Sequence, residues 1–306
     1  MEHKNFLFFD CECANCFDGV GKICSLGYVL TDDELNVIES EDVVMNHETE
    51  FDWYLFSPKN KCQLAYSKDY FRSKPNFDAF YKKLKPLFSN GNTYVAGFAV
   101  ANDVGFVNSA CERYNRDYIN FRAFDVQNLL DKTFNAKKKL FEWAEFLECD
   151  MSALASHKSV DDAMATMFVF KKVCEKENKT PEQLMKDNKG FFVTTEQVAL
   201  AAEERKYKKE MTAKIKEYYN RRSPNPLRHL YDGQKFELNK KVFSDLERAL
   251  NIAKRIYEGG GVIYERLKGK GNIVFLDDDI ESEKKASIEN KGYKIIYAAE
   301  IEKIVK

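Results

Sequence analysis

No stretch of this 306-residue chain is apolar for long enough to cross a bilayer. The longest, Tyr94–Ala101, is far short of the ~20 residues a spanning helix needs. The amino-terminal run in MEHKNFLFFDCE is too short for a secretory leader and passes straight into acids. These absences predict an intracellular, cytoplasmic protein with no membrane partner. The chain also lacks internal repeats and low-complexity segments. With 44% hydrophobic and 32% charged residues it has an ordinary globular composition, which excludes fibrous and disordered classes. No polymerase or helicase segment is present.

Eight cysteines do not make a disulfide scaffold in a chain of this length. They are dispersed through apolar segments. Cys11, Cys13, Cys16 and Cys24 crowd the start, but no CxxC…CxxC pair accompanies them and no histidine follows nearby. Buried, reduced thiols are expected there rather than zinc.

A net charge of −1 conceals an uneven division. Residues 1–190 hold 24 basic and 30 acidic side chains; residues 191–306 hold 24 and 19. An acidic first part can neutralise its charge with bound cations. A basic second part can help hold a polyanion.

Apolar runs predict strands at Asn5–Cys13, Lys22–Leu30 and Val37–Met45, then an irregular, aromatic-rich segment at 46–75. A helix is expected over 76–88, a strand over 93–98, a helix over 104–114 and a strand over 120–125. Helices follow at 126–134, 138–147 and 159–178. This order describes an α/β fold with a mixed sheet. Residues 194–222 contain neither Pro nor Gly and read as one long helix, broken at Ser223-Pro224-Asn225-Pro226. The remainder, 228–306, reads as a compact βαββαβα unit.

Asp10 and Glu12 stand two apart in an otherwise apolar strand, so both side chains point to one face. Buried carboxylates are costly without compensation, and oxygen ligands suit Mg²⁺ or Mn²⁺. Asp103 follows an apolar strand at the end where α/β folds place their sites. Taken alone, it reads more readily as an ordinary helix N-cap. His157 precedes a helix whose first turns carry Asp161 and Asp162; of the two, Asp162 is the expected ligand. A histidine beside a cation-held water has the pKa of a general base, although a lone histidine more often caps or lies at the surface.

The joint pattern is more specific than its parts. DxE on the first strand, Asp after the fourth and HxxxxD entering a late helix follow one another in chain order. Over residues 5–178 the chain resembles the DnaQ-like DEDD 3′–5′ exonucleases of the histidine subgroup, the kind represented by the epsilon subunit of DNA polymerase III. The resemblance implies a ribonuclease-H-like domain with a five-stranded mixed sheet. It implies that Asp10, Glu12, Asp103 and Asp162 hold two divalent cations, Mg²⁺ or Mn²⁺, and that His157 activates water. Phe124-Asp125 and LFEWAEFL are further matches. The family's Thr-Thr-Gly stands here as Cys13-Ala14-Asn15, and its Gly-His-Asn as Gly97-Phe98-Ala99.

The carboxyl-terminal unit resembles a BRCT domain, on Gly259–Gly261 and the ending GYKIIYAAEIEKIV. Lys284, or Lys285, is the candidate phosphate contact. The first strand lacks the Ser/Thr-Gly of phosphate-reading members, so plain docking of a protein or DNA end is the leading expectation. Between the two lies a basic stretch, with eight Lys/Arg and two Glu over Arg205–Arg222. Such a run is usually a solvated face. Next to a nuclease, Arg205, Lys206, Lys208, Lys209, Arg221 and Arg222 become candidate phosphate contacts.

The sequence therefore predicts an exonuclease domain at 1–190, a basic helical linker at 191–227 and a BRCT-like domain at 228–306. The expected substrate is the 3′ end of single-stranded nucleic acid, DNA favoured, in repair or proofreading. An exoribonuclease and a weakly active binding scaffold are the alternatives, and the tail is expected to have a protein partner.

Overall fold

The structure, a computed structural model, describes residues 4–17, 20–57, 59, 63–238, 242–266, 273–276 and 282–303. Two compact units divide at Ala202 and Glu203.

The first unit is built on a six-stranded mixed sheet in the order β3-β2-β1-β4-β5-β6. Strands β1 (Asn5–Asn15), β2 (Lys22–Thr31) and β3 (Val37–Val44) form an antiparallel meander. Strands β4 (Thr93–Gly97) and β5 (Arg122–Asp125) run parallel to β1. A short sixth strand, β6 (Phe192–Thr194), pairs antiparallel with β5. The resemblance implied five strands; the sixth was missed because three residues show no periodicity.

β1 is central and covered on both faces, which is why it reads as a continuous apolar run. Leu7, Phe9 and Cys11 join a core with α2 (Phe77–Ser89) and α3 (Ala101–Arg113). Phe6 and Phe8 join the opposite core with α4 (Val126–Phe134), α5 (Leu140–Phe146), α6 (Ser159–Glu177) and α7 (Pro181–Asp187). By the period of two, Asp10 and Glu12 continue the Phe6–Phe8 face. That face changes from aromatic to acidic as the strand passes beneath α6, which packs on β1 and β2.

The aromatic-rich segment after β3 folds as a small lobe around Phe51, Leu55, Leu64 and Phe71, packed on Ala14, Cys24 and Val44. It holds a 3-10 turn, Trp53–Phe56, and one turn and a half of helix, α1 (Lys68–Arg72), capped by Ser67.

α8 (Thr195–Lys216) begins in the first unit and ends in the second. Its start is locked by Thr195, whose buried hydroxyl donates to Ile119 and Phe121 carbonyls and accepts from the Phe121 N–H. Residues 200–210 are exposed on every side of the helix. The helix stops at Lys216, earlier than the prolines predicted. Asn220 adopts a left-handed conformation and donates its N–H to the Ile263 carbonyl at 2.8 Å, and Tyr219 bridges Ile263. Pairing with a strand thus ends the helix before Pro224 is reached.

The second unit carries a four-stranded parallel sheet in the order β10-β9-β7-β8. Its strands are β7 (Lys235–Leu238), β8 (Val262–Tyr264), β9 (Ile273–Leu276) and β10 (Lys294–Tyr297). Helices α9 (Leu246–Glu258), α10 (Ser282–Asn290) and α11 (Ala298–Lys303) complete the predicted βαββαβα order. Asp245 caps α9 by accepting from the Arg248 N–H. At its end Gly260 takes φ +85°, and a Cβ on Gly261 would meet Ile256 and Phe236 at under 3 Å. The glycine turn is therefore required by backbone conformation and by close packing. The Lys284 side chain lies outside the described residues. Among the described residues, no helix is long and apolar enough to cross a membrane.

Candidate active site

The β1–β4 register ends at Phe8↔Ala96. Beyond it β1 continues without β4, and the Cys11 N–H is taken instead by Asp103 Oδ1 at 3.2 Å. Asp103 stands buried in the first turn of α3. The divergence of two parallel strands at their carboxyl ends opens the crevice where α/β folds hold their sites. The geometry thus brings Asp103 to the strand that carries Asp10 and Glu12.

α6 supplies the other wall. Gly27 on β2 is the register partner of Asp10 and shares its face. The start of α6 lies so close that a Cβ on Gly27 would fall 1.9 Å from the Val160 nitrogen. Ser25 and Ser159 hydroxyls are hydrogen-bonded across the same junction. The loop before α6 is tied down by the helix's own acids. Asp161 accepts from the Ala155 N–H at 2.9 Å and from Lys158 at 3.1 Å. Asp162 Oδ2 accepts from the His157 N–H at 3.1 Å, with His157 in a left-handed conformation. Asp161 is therefore spent on the loop.

Ligating atoms of Glu12, His157 and Asp162 lie within 4.8 Å of one another. His157 Nδ1 is 3.6 Å from Glu12 Oε1. Asp162 Oδ1 is buried with no hydrogen-bond partner. Asp10 and Asp103 stand outside this tight group but within its field. Burial pushes the Asp10 carboxyl well above the usual range, and the charges of Asp103, Asp162, Glu12 and Asp42 add to the rise. Burial likewise raises Asp103. Burial first, then Glu12, pushes Asp162 up to about 7. His157 is raised by its bond to Glu12. Burial that pushes Asp10, Asp103 and Asp162 towards their neutral forms, with an orphaned buried oxygen beside them, makes a donor set that fits divalent cations.

Two contributors escaped the sequence reading. Asp42 on β3 adds its charge to Asp10 and accepts from the Tyr66 hydroxyl at 2.8 Å. Gly27 sets how closely α6 approaches. Neither has a local signal, since an Asp and a Gly within strands look like turn residues until the register is known. Asp125, buried at the end of β5, caps α4 through the Asn128 N–H.

The candidate basic residues belong to the second unit. Arg205, Lys206, Lys208 and Lys209 are exposed on α8, with Lys208 paired to Glu204. Arg221 and Arg222 are exposed beyond it, Arg222 at 3.8 Å from Asp232. Cys11 and Cys24 are buried thiols as expected, whereas Cys16 is exposed, its sulfur 3.6 Å from that of Cys13. A cavity of about 240 Å³ opens at the opposite, amino-terminal edge of the sheet, between Lys4, Tyr94 and Arg122. None of the five predicted site residues lines it.

The fold is an α/β domain with a mixed sheet, and the matched family makes it a ribonuclease-H-like exonuclease domain. The family model described as exonuclease (RNase_T) matches residues 7–170, more than half of the chain, and the chain belongs to that family. No curated protein matches its sequence. Among solved structures, E. coli exonuclease I bound to a dA16 oligonucleotide is similar at 16% identity and a TM-score of 0.47, over 60% of this chain and 42% of its own. A 3′-exonuclease that recognises the histone mRNA stem-loop is similar at 14% identity and a TM-score of 0.49, over 58% and 84%. The chain thus spans less than half the length of exonuclease I.

Proposed function

We propose that this protein is a metal-dependent 3′–5′ exonuclease that removes nucleotides from the 3′ end of single-stranded nucleic acid, DNA favoured. The observation that carries the reading is the convergence of Glu12, His157 and Asp162 within 4.8 Å, beside Asp10 and Asp103. Asp10, Glu12, Asp103 and Asp162 would hold two divalent cations, Mg²⁺ or Mn²⁺. When bound, such ions stabilise charge on the phosphate and the leaving oxygen and acidify water.

The chain's own residues do the rest. His157 accepts the proton of the attacking water. The water oxygen bonds to phosphorus, the bond to the 3′ oxygen breaks with its electron pair, and that oxygen takes a proton from solvent to leave as a hydroxyl, while His157 returns its own proton to solvent. Products are a nucleoside 5′-monophosphate and a shortened strand. The Asp162 carboxylate fixes the His157 backbone, and Asp161 fixes the loop, so the base is positioned before substrate arrives.

The parallel order of the second unit's sheet and its βαββαβα sequence support a BRCT-like docking module, with a protein or DNA end as partner. A DNA substrate is favoured on that ground. The exposed bases of α8 suit phosphate contact, while Lys284 rests on sequence alone. The test is to incubate the full chain with 3′- and 5′-labelled single-stranded DNA and RNA, in Mg²⁺, Mn²⁺ or EDTA. Stepwise shortening from the 3′ end in Mg²⁺ or Mn²⁺, abolished by EDTA, is expected. Turnover of RNA alone would make the enzyme an exoribonuclease, and no turnover would leave a binding scaffold.

A further inference from the structure

Trp53 is 77% exposed and Tyr54 43% exposed, side by side in the lobe after β3, their rings 6.4 Å apart and perpendicular. Their exposure is built in. Phe51 and Leu55 occupy the lobe's core, and the 3-10 turn between them turns residues 53 and 54 outward. The turn is fastened to the strand that bears the carboxylates. The Asp52 N–H donates to the Ala14 carbonyl at 2.9 Å, and Asn15 donates its amide to the Glu50 carbonyl and to Thr49. Ala14 is two residues past Glu12, about 7 Å along an extended strand. The backbone that carries the pair is thus anchored within a few stacked bases of Glu12, at about 3.4 Å per base.

Charge favours the same occupant. The first 190 residues are acidic overall, yet the stretch from Trp53 to Lys74 carries five basic residues and one acid. Two of these cations already lie over rings, Lys68 over Phe56 at 5.0 Å and Lys74 over Tyr70 at 4.0 Å. Flat rings interleaved with cations beside an acidic crevice match a strand whose bases need π-faces and whose phosphates need positive charge. A protein partner would explain the exposed rings but not their fastening to β1.

Resting on the nuclease reading, we propose that Trp53, with Tyr54, is a stacking platform for bases of the single strand entering the carboxylate site. It would be sequence-tolerant, because every base presents a π-face.

The test uses a property of this chain: it has two tryptophans, and Trp143 is fully buried. Tryptophan emission of the full chain is followed in EDTA during titration with a dT10 strand and with an abasic strand of equal length. Quenching by dT10 and not by the abasic strand is expected. Trp53→Ala should weaken dT10 binding by roughly 5- to 150-fold, the equivalent of ~1–3 kcal/mol per stacked base. In Mg²⁺ the loss should appear in KM rather than kcat, and Trp53→Phe should restore most of it. The site is exposed, so an unchanged melting curve will show that the fold is kept. If the wild type cleaves while Trp53→Ala binds and turns over dT10 unaltered, this inference is wrong and the nuclease reading stands. If dT10 quenches emission but no nucleic acid is ever cleaved, the platform stands and the nuclease reading fails. If neither strand binds, this inference is wrong, and cleavage of labelled DNA or RNA in Mg²⁺ decides the nuclease reading separately.

Discussion

Gly27→Ala is a substitution of one hydrogen by a methyl group that removes no acid or base, yet it should disable the site. A Cβ at residue 27 would lie 1.9 Å from the Val160 nitrogen and 2.1 Å from the Ser159 carbonyl carbon. Ordinary contact begins near 3.4 Å, so the two backbones must part by about 1.5 Å. Both obstructing atoms are main-chain, so no side-chain rotation relieves the clash. Gly27 pairs with Asp10, and Val160 precedes Asp162 by two residues. The movement therefore separates the β1 carboxylates from Asp162 and His157. A misplacement of ~1 Å can cost 10²-fold, so kcat/KM should fall at least that much. Overpacking should also lower stability by ~1–3 kcal/mol. The assay is steady-state cleavage of a labelled oligonucleotide, with a thermal melt of the same preparation. Gly105→Ala in α3 is the control, because its Cβ would meet only Val198 at an ordinary 3.6 Å. That variant should keep full activity and gain ~0.5–1 kcal/mol from reduced chain entropy. A Gly27→Ala enzyme with wild-type kcat/KM would refute the reasoning, since α6 would then be free to shift without consequence.

His157→Ala should keep oligonucleotide affinity in EDTA while losing roughly 10²–10⁴-fold in kcat, the usual contribution of a general base; an unaltered kcat would make His157 structural. Asp162 has its folded pKa raised to about 7, above the ordinary 3.8, so the folded state binds the extra proton between those values. In EDTA, stability should therefore rise as pH falls from 8 towards 5, a swing of order 2–3 kcal/mol over that range if this group acted alone. Mg²⁺ should raise the melting temperature more at pH 8 than at pH 5.5, and Asp162→Asn should raise it in EDTA at pH 8 while abolishing cleavage; a flat pH response in EDTA would contradict the crowding of acids. A fragment of residues 1–202 should fold and cleave short strands, whereas 1–190 should be markedly less stable, because it loses β6 and the buried Thr195 hydrogen bonds. Comparable melts for the two fragments would show that β6 contributes little.

Much of the site was legible because its chemistry conflicts with its surroundings. Asp10 and Glu12 interrupt an aromatic strand, and a period of two places them on one face whatever the tertiary structure. The order of strands and helices followed from apolar periodicity, and the second unit's βαββαβα order from its glycine punctuation. Properties that depend on partners distant in the chain were not legible. β6 has three residues and exists only because β5 presents a free edge. α8 ends at Lys216 because Ile263 captures Asn220, although the local sequence favours helix up to the prolines. Asp161 and Asp162 are adjacent and chemically alike, and only the loop's hydrogen bonds decide that one holds Ala155 while the other leaves a buried oxygen unpartnered. Gly27 carries no sequence signal at all; its role is the space it leaves for another segment's backbone. Local patterning determined which residues belong to a face, and long-range packing decided which faces meet and how closely.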